Sequence, residues 1–264
     1  MTGMDLNRAL TTAREAAERA GDKLLFYYAS NYDIGHKRGG SPVTTADIEA
    51  NQVLHDALLG AFPETGWLSE ESADGPERLR QEWVWIVDPL DGTMEFIRGV
   101  DEFAVSVALV QGTAPAVAVA YNPATGCMTH CRRGFGTFAN GKPVHVSSRA
   151  ELEGATMVAS RSETRRGLFA GFEGILKIRP TGSIAHKLAE FAGGRGDLIV
   201  SLRPKNEWDV CAGVLLAEEA GAKVTDLDGR PFSFNQADTL RNGVIAANPS
   251  LYPEVYRLVA EQRR

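Results

Sequence analysis

Apolar positions recur along the chain first at helical and then at strand spacing. Leu6, Leu10, Ala13, Ala17, Leu24 and Leu25 share one helical face, and Ile48, Val53, Leu54, Leu58 and Leu59 repeat the pattern after Thr44-Thr-Ala-Asp47. Two opening helices follow from this. Trp83-Val-Trp-Ile-Val87 is an unbroken apolar run, read as a buried strand that Asp88-Pro89 stops. Alternation over 103–110, 115–121 and 127–133, punctuated by Gln111-Gly112, Asn122-Pro123 and Arg132-Arg-Gly134, predicts an antiparallel meander. Asn140-Gly141 marks a hairpin within 134–146. After about residue 150 the pattern changes to a strand at 155–159, a helix at 164–172, and a helix at 183–192 closed by Gly193-Gly194. A strand at 197–202, a helix at 209–220 closed by Gly221, short strands at 224–226 and 243–247, and a terminal helix at 251–262 complete the reading. This order predicts an α/β (α+β) chain of sheets sandwiched between helix layers, in two tightly packed lobes, 1–150 and 151–264.

Composition narrows the class. With 264 residues, 44% hydrophobic and 23% charged, the chain has the make-up of a soluble globular protein long enough for a sizeable core. Lys+Arg 28 against Asp+Glu 34 gives a net charge of −6, which argues against a nucleic-acid backbone or an anionic membrane as the main partner. The most apolar stretch, Phe103 to Tyr121, is interrupted by Gln111, Gly112 and Pro115 and is no membrane span. The first residues lack the build of a signal peptide, and three cysteines (Cys127, Cys131, Cys211) form no disulfide scaffold. A cytoplasmic protein is expected. Cys127 and Cys131 with His130 between them do not make a zinc signature.

Four acidic signals carry candidate chemistry, and each has an ordinary alternative. Asp88 and Asp91 in Val87-Asp-Pro-Leu-Asp-Gly-Thr93 read either as turn residues or as a pair returned to one spot by a tight turn, with the Leu90 carbonyl between them. Gly92, Thr93 and Met94 would then open a short helix whose free N–H groups face an anion. Glu70, in Leu68-Ser-Glu-Glu-Ser72, also reads as part of a solvated loop. Asp47 and Asp209 also read as helix-start residues, favoured there by the dipole. Gathered in one cleft, these carboxylates would repel one another by about 4 kcal/mol per pair at 4 Å and an effective dielectric near 20. Only bound cations hold such a cluster together, and all-oxygen ligands suit Mg²⁺ or Mn²⁺. An anion-binding helix start beside divalent ions is a phosphoryl-transfer arrangement.

Ser69-Glu-Glu-Ser72, Trp85-Ile-Val-Asp-Pro-Leu-Asp-Gly-Thr93 and Trp208-Asp-Val-Cys-Ala-Gly213, in that order, resemble the three signature segments of the inositol monophosphatase superfamily of Mg²⁺-dependent, lithium-sensitive phosphatases. Pro42-Val-Thr-Thr-Ala-Asp47 is similar to a fourth family segment, and the resemblance covers nearly the whole chain. It implies the layered α-β-α-β-α sugar-phosphatase fold and two to three Mg²⁺ per site, replaceable by Mn²⁺ and antagonised by Li⁺ and Ca²⁺. It further implies that Glu70, Asp88 and the Leu90 carbonyl hold one metal, that Asp88, Asp91 and Asp209 hold a second, and that Asp47 and Glu70 frame a weaker third. Thr93, backed by Asp47, orients the attacking water in this scheme, and the N–H groups of Gly92 and Thr93 hold the phosphate. In-line attack by water, with no covalent phosphoenzyme, and a homodimer are also implied by the resemblance.

The run Asp88 to Ile97, with Leu90 and Glu95-Phe96-Ile97, looks more like the 3′(2′),5′-bisphosphate nucleotidase branch than the inositol-1-monophosphatase branch. Ser41-Pro-Val-Thr and Leu68-Ser-Glu-Glu lean the same way. Ser183 and Lys187, four apart on one predicted helical face, are candidates to meet a second phosphate. Met94 stands where Lys or Thr is usual, and Arg203 and Lys205 are candidates to supply the missing cation. The expected partner is a small phosphorylated metabolite, with inositol 1-phosphate, fructose 1,6-bisphosphate or another sugar phosphate as alternatives. A non-catalytic metal-dependent regulator is the alternative of a different class.

Overall fold

The computed structural model describes residues 3–28, 32–36 and 42–263. The chain opens with α1 (Leu6–Tyr28), β1 (Ile34–His36), β2 (Pro42–Thr44) and α2 (Thr45–Ala61). A seven-stranded sheet follows: β3 (Gly66–Ser69), β4 (Trp83–Asp91), β5 (Ala104–Gln111), β6 (Ala114–Asn122), β7 (Cys127–Arg132), β8 (Thr137–Ala139) and β9 (Lys142–Val144), with the short α3 (Thr93–Ile97) after β4. The second half holds β10 (Thr156–Ser160), α4 (Arg161–Arg165), β11 (Lys177–Thr181), α5 (Ile184–Ala192) and β12 (Leu198–Ser201). It ends with β13 (Lys205–Asn206), α6 (Glu207–Glu219), β14 (Lys223–Thr225), β15 (Leu240–Arg241), β16 (Val244–Ala247) and α7 (Tyr252–Gln262).

Alternation along the strands sets the layers, because successive side chains leave opposite faces of a sheet. From β4, Trp85 and Val87 face α1 and α2 together with Val105, Val107 and Leu109 of β5. The alanine stripe Ala9, Ala13, Ala16, Ala17 and Ala20 lets α1 approach this face closely. Val84 and Ile86 leave the other face and meet α5 and α6. Val158, Ile199 and Ala246 of the second sheet close that same cluster from beyond the helices. The second sheet runs β11-β10-β12-β16-β14, and its far face packs Met157, Val200 and Ile245 against Val255 and Val259 of α7. The result is the five-layer α-β-α-β-α order. Gly213 lets the central helices pass closely, since a Cβ there would stand 2.5 Å from Leu188 Cδ1. Among the described residues no helix is long and apolar enough to cross a membrane.

Three boundaries differ from expectation. Asp88-Pro89 does not end β4: Asp88 pairs with Ser106 and Asp91 with Ala104, so Pro89 and Leu90 form an irregularity opposite Val105. Proline has no N–H for the ladder, and the Leu90 N–H turns instead to Asp88 Oδ1 at 2.9 Å. The helix expected over 164–172 is α4 at 161–165, followed by a separate 3₁₀ turn at Ala170–Phe172. Gly167, at φ +69°, stops α4, and Phe169 and Phe172 serve the α7-side core from the start and end of that 3₁₀ turn. Finally, α6 begins at Glu207, because Asn206 and Asp209 form a reciprocal cap.

Candidate active site

Sheet register gathers the acidic side chains. Because β3 runs parallel to β4 with Ser69 opposite Val87, Glu70, the first residue after β3, becomes a neighbour of Asp88 on β4. The Glu70 N–H donates to the Val87 carbonyl and fixes this placement. Ser106, opposite Asp88 on β5, donates its hydroxyl to the Trp208 carbonyl at 3.1 Å and brings the start of α6, with Asp209, over the same strand end. Carboxylate oxygens of Glu70, Asp88 and Asp209 thus lie within 4.8 Å of one another.

Asp91 stands beside this group at the N-terminus of α5, where its Oδ2 accepts from Ser183 Oγ and from the Ala185 N–H at 2.6 Å. Ser183 has a positive φ of 48°, a sparsely populated state that costs a non-glycine residue about 1–3 kcal/mol. Its hydroxyl is held by Asp91 and by the His186 N–H. Asp47 accepts from the Thr44 N–H and hydroxyl on Oδ2, capping α2, and from Thr93 Oγ1 at 3.1 Å on Oδ1. Asp47 thus serves the helix start with one oxygen and contacts Thr93 with the other. The Thr93 hydroxyl also lies 3.2 Å from the Leu90 carbonyl, so its single proton is shared between two acceptors.

Gly92, at φ +101°, turns the chain from β4 into α3. A Cβ on it would meet the Glu102 carbonyl oxygen at 2.9 Å and the Ser183 Cβ at 3.1 Å. Gly92→Ala is therefore expected to lower stability by about 1–3 kcal/mol and to reduce turnover as Thr93 shifts. Thermal melting and steady-state kinetics check this, and an unchanged melting point would refute it.

The carboxylates oppose one another electrostatically. At 4.8 Å and an effective dielectric near 20, each ionised pair costs about 3.5 kcal/mol. Burial, then the charges of Asp91 and Glu70, lift the Asp209 carboxyl well above its ordinary range. Burial likewise lifts Asp91 against the hydrogen bonds from Ser183 and Ala185, and the charge of Glu70 adds to the rise. A cation among these carboxylates would relieve their mutual repulsion and favour their ionised forms. The donor set of these carboxylates is all oxygen, with no thiol or imidazole, and it fits a hard divalent ion of the Mg²⁺ or Mn²⁺ type.

Above this floor opens a cleft of about 370 Å³. Glu70, Asp91, Gly92, Thr93 and Asp209 line it, together with Ser183, Lys187 and Lys205. Lys187 is buried, and burial pushes its ammonium down to about 8 against the pull of the Asp91 charge. Lys205 is tied to the buried Glu163 at 3.3 Å. Arg203 is exposed and is not among the residues that line the cleft. Ser41 lies outside the described residues. Arg98, Arg161 and Arg165 line the cleft, and sequence reasoning missed all three. Arg161 and Arg165 stand one turn apart directly after β10, and a strand end followed by a helix was the available signal.

The geometry gives a layered α/β fold with an acidic cluster that could hold a metal ion, and known proteins share that fold. The model of the inositol monophosphatase family matches residues 5–264, and the chain belongs to that family. An inositol monophosphatase from Mesembryanthemum crystallinum is 34% identical over 255 residues, covering 92% of this chain and 93% of its own. A 3′(2′),5′-bisphosphate nucleotidase CysQ from Escherichia coli O157:H7 is also 34% identical, over 236 residues, covering 86% and 94%. The solved structure of inositol monophosphatase from Anabaena (Nostoc) sp. PCC 7120 superposes with a TM-score of 0.83 at 30% identity, covering 98% and 97%. The protein is accordingly a phosphoric monoester hydrolase.

Proposed function

We propose that this hydrolase is Mg²⁺-dependent and acts on a substrate with two phosphates, foremost a 3′(2′),5′-bisphosphate nucleotide, releasing the 3′-phosphate. The convergence of Glu70, Asp88 and Asp209, flanked by Asp91 and the Thr93–Asp47 pair, carries the reaction type. Glu70, Asp88, the Leu90 carbonyl, Asp91 and Asp209 would hold the ions, with Asp47 and Glu70 framing a third. Bound Mg²⁺ supplies Lewis-acid charge for the phosphate oxygens and lowers the pKa of water.

The remaining work falls to the chain itself. Asp47 draws the Thr93 hydroxyl proton toward itself, which leaves a Thr93 lone pair to accept from the attacking water and aim it at phosphorus. Gly92 and Thr93 offer N–H groups to the phosphate as the chain enters α3. Ser183 and Ala185 hold one oxygen of Asp91, which fixes how its carboxylate faces the cleft.

Charge in the cleft supports the two-phosphate reading. Of its lining cations, Lys205 pairs with Glu163, Arg161 pairs with Glu102 and Lys187 faces Asp91, Glu95 and Glu163, which leaves Arg98 and Arg165 without an ion pair among the described residues. A neutral inositol ring would leave that cationic surplus unmatched. Inositol 1-phosphate is the second reading, favoured by the equal identity to the Mesembryanthemum crystallinum enzyme. Catalytic efficiencies toward 3′-phosphoadenosine 5′-phosphate, inositol 1-phosphate and fructose 1,6-bisphosphate at equal Mg²⁺ separate these readings. The adenosine bisphosphate is expected to lead by at least about tenfold. Preference for inositol 1-phosphate would overturn the substrate and leave the metal-assisted hydrolysis in place.

A further inference from the structure

We infer that Arg98 and Arg165 form a subsite for the second phosphate of the substrate, apart from the metal-bound one. The inference rests on the two-phosphate reading above and gives it a location. Each cation of the cleft has a different degree of engagement. Lys205 is bound to Glu163, which is itself buried and also accepts from Ser201 Oγ and the Leu202 N–H. Arg161 donates to Glu102, which also accepts from the Gly182 N–H, and its Nε approaches Glu95 at 3.9 Å. Lys187 is buried and faces Asp91, Glu95 and Glu163. Arg98 and Arg165 are exposed, line the cleft, and have no ion pair or side-chain hydrogen bond among the described residues.

Their placement suits a distal group. Arg98 closes α3, five residues beyond Thr93, so about 7.5 Å of helix rise separates it from the reacting end of the cleft. It also lies one turn beyond Met94, and returns to the cleft the positive charge that Met94 lacks. Arg165 lies one turn beyond Arg161 on α4, from the opposite half of the sequence. A cation at a helix C-terminus is favoured by the dipole, yet in five-residue helices that effect is slight, and it does not explain why both side chains line one cleft. Two planar guanidinium forks on separate elements match the oxygens of a phosphate. Glu102 and Glu95 occupy Arg161, which makes it a positioning residue that holds α4 against Gly182.

The test compares substrate pairs that differ only in the second phosphate: 3′-phosphoadenosine 5′-phosphate against adenosine 3′-monophosphate, and fructose 1,6-bisphosphate against fructose 1-phosphate. In the double variant Arg98→Gln/Arg165→Gln, the bisphosphate-to-monophosphate ratio of kcat/KM is expected to fall about ten- to hundredfold, chiefly through KM. The Arg98→Lys/Arg165→Lys variant is expected to recover part of the ratio, which loss of structure would not produce. Melting curves verify that both variants fold, as expected for exposed side chains. The pair that shows the preference identifies the scaffold, nucleoside or sugar. Wild-type protein that prefers a bisphosphate, with the ratio unchanged in the double variant, overturns the subsite alone. Wild-type protein with no preference in either pair overturns the two-phosphate reading and the subsite with it.

Discussion

Asp88→Asn is expected to lower kcat/KM at least about 10³-fold, near 4 kcal/mol of transition-state stabilisation, while the protein stays folded. Asp88 is 1% exposed and has two duties. Its Oδ1 accepts from the Leu90 N–H and shapes the irregularity that turns β4 toward Gly92, and its charge is one of three within 4.8 Å. Asparagine keeps an acceptor oxygen for Leu90 and removes the charge, so the two duties separate. In chelator, the variant should melt no lower than wild type, since one repulsive pair is relieved. Asp47→Ala should behave differently. It removes the side chain that completes the Thr44 capping box of α2 and the partner of Thr93, so about 0.5–2 kcal/mol of stability falls together with turnover. Steady-state kinetics with Mg²⁺ and melting without it read both effects. A loss under about tenfold in a folded Asp88→Asn protein would remove Asp88 from the chemistry and favour a non-catalytic role for the site.

Periodicity made the layers legible because β4, β5 and β6 are buried on both faces and read as apolar runs, while α1 and α2 repeat at helical spacing. The metal-type residues were legible as segments, but their meeting was not. That meeting depends on the parallel register of β3 against β4, and on Ser106 reaching Trp208 across 102 positions of sequence. Neither leaves a local pattern. The strand end at Asp88 was misplaced for a related reason: Asp-Pro is a turn signal in isolation, whereas here β5 continues to pair with Asp91 beyond the irregularity. Arg203 drew notice through its nearness in sequence to Asp209, yet it is exposed and not among the residues that line the cleft. Arg98, Arg161 and Arg165 were missed for the opposite reason. Each sits on or directly after a five-residue helix too short to show a face, and only the cleft brings them together.

Metal removal should make stability fall as pH rises. In the metal-free protein, burial and the neighbouring charges raise the carboxyls of Asp209 and Asp91 above their ordinary range. A carboxyl raised on folding leaves the folded state with more bound protons than the unfolded one. Its contribution is fully present below the unfolded value near 3.9 and is lost as pH climbs through the raised value. Asp209→Asn deletes the titration, so in chelator the variant should gain on wild type as pH rises above the unfolded carboxyl value near 3.9. Mg²⁺ should reverse the order at the upper end. At about a hundredfold excess over its Kd, a ligand of the folded state alone adds about 2.7 kcal/mol, roughly 5–10 °C in Tm for a chain of this size. That gain should shrink toward acid pH, where protons compete for the same oxygens, and should be small in Asp209→Asn. Melting curves across pH, with chelator and with Mg²⁺, carry the test without any turnover. A metal-free wild type that gains on Asp209→Asn as pH rises would mean that Asp209 has a favourable partner when ionised, and the carboxylates would then have no need of a cation.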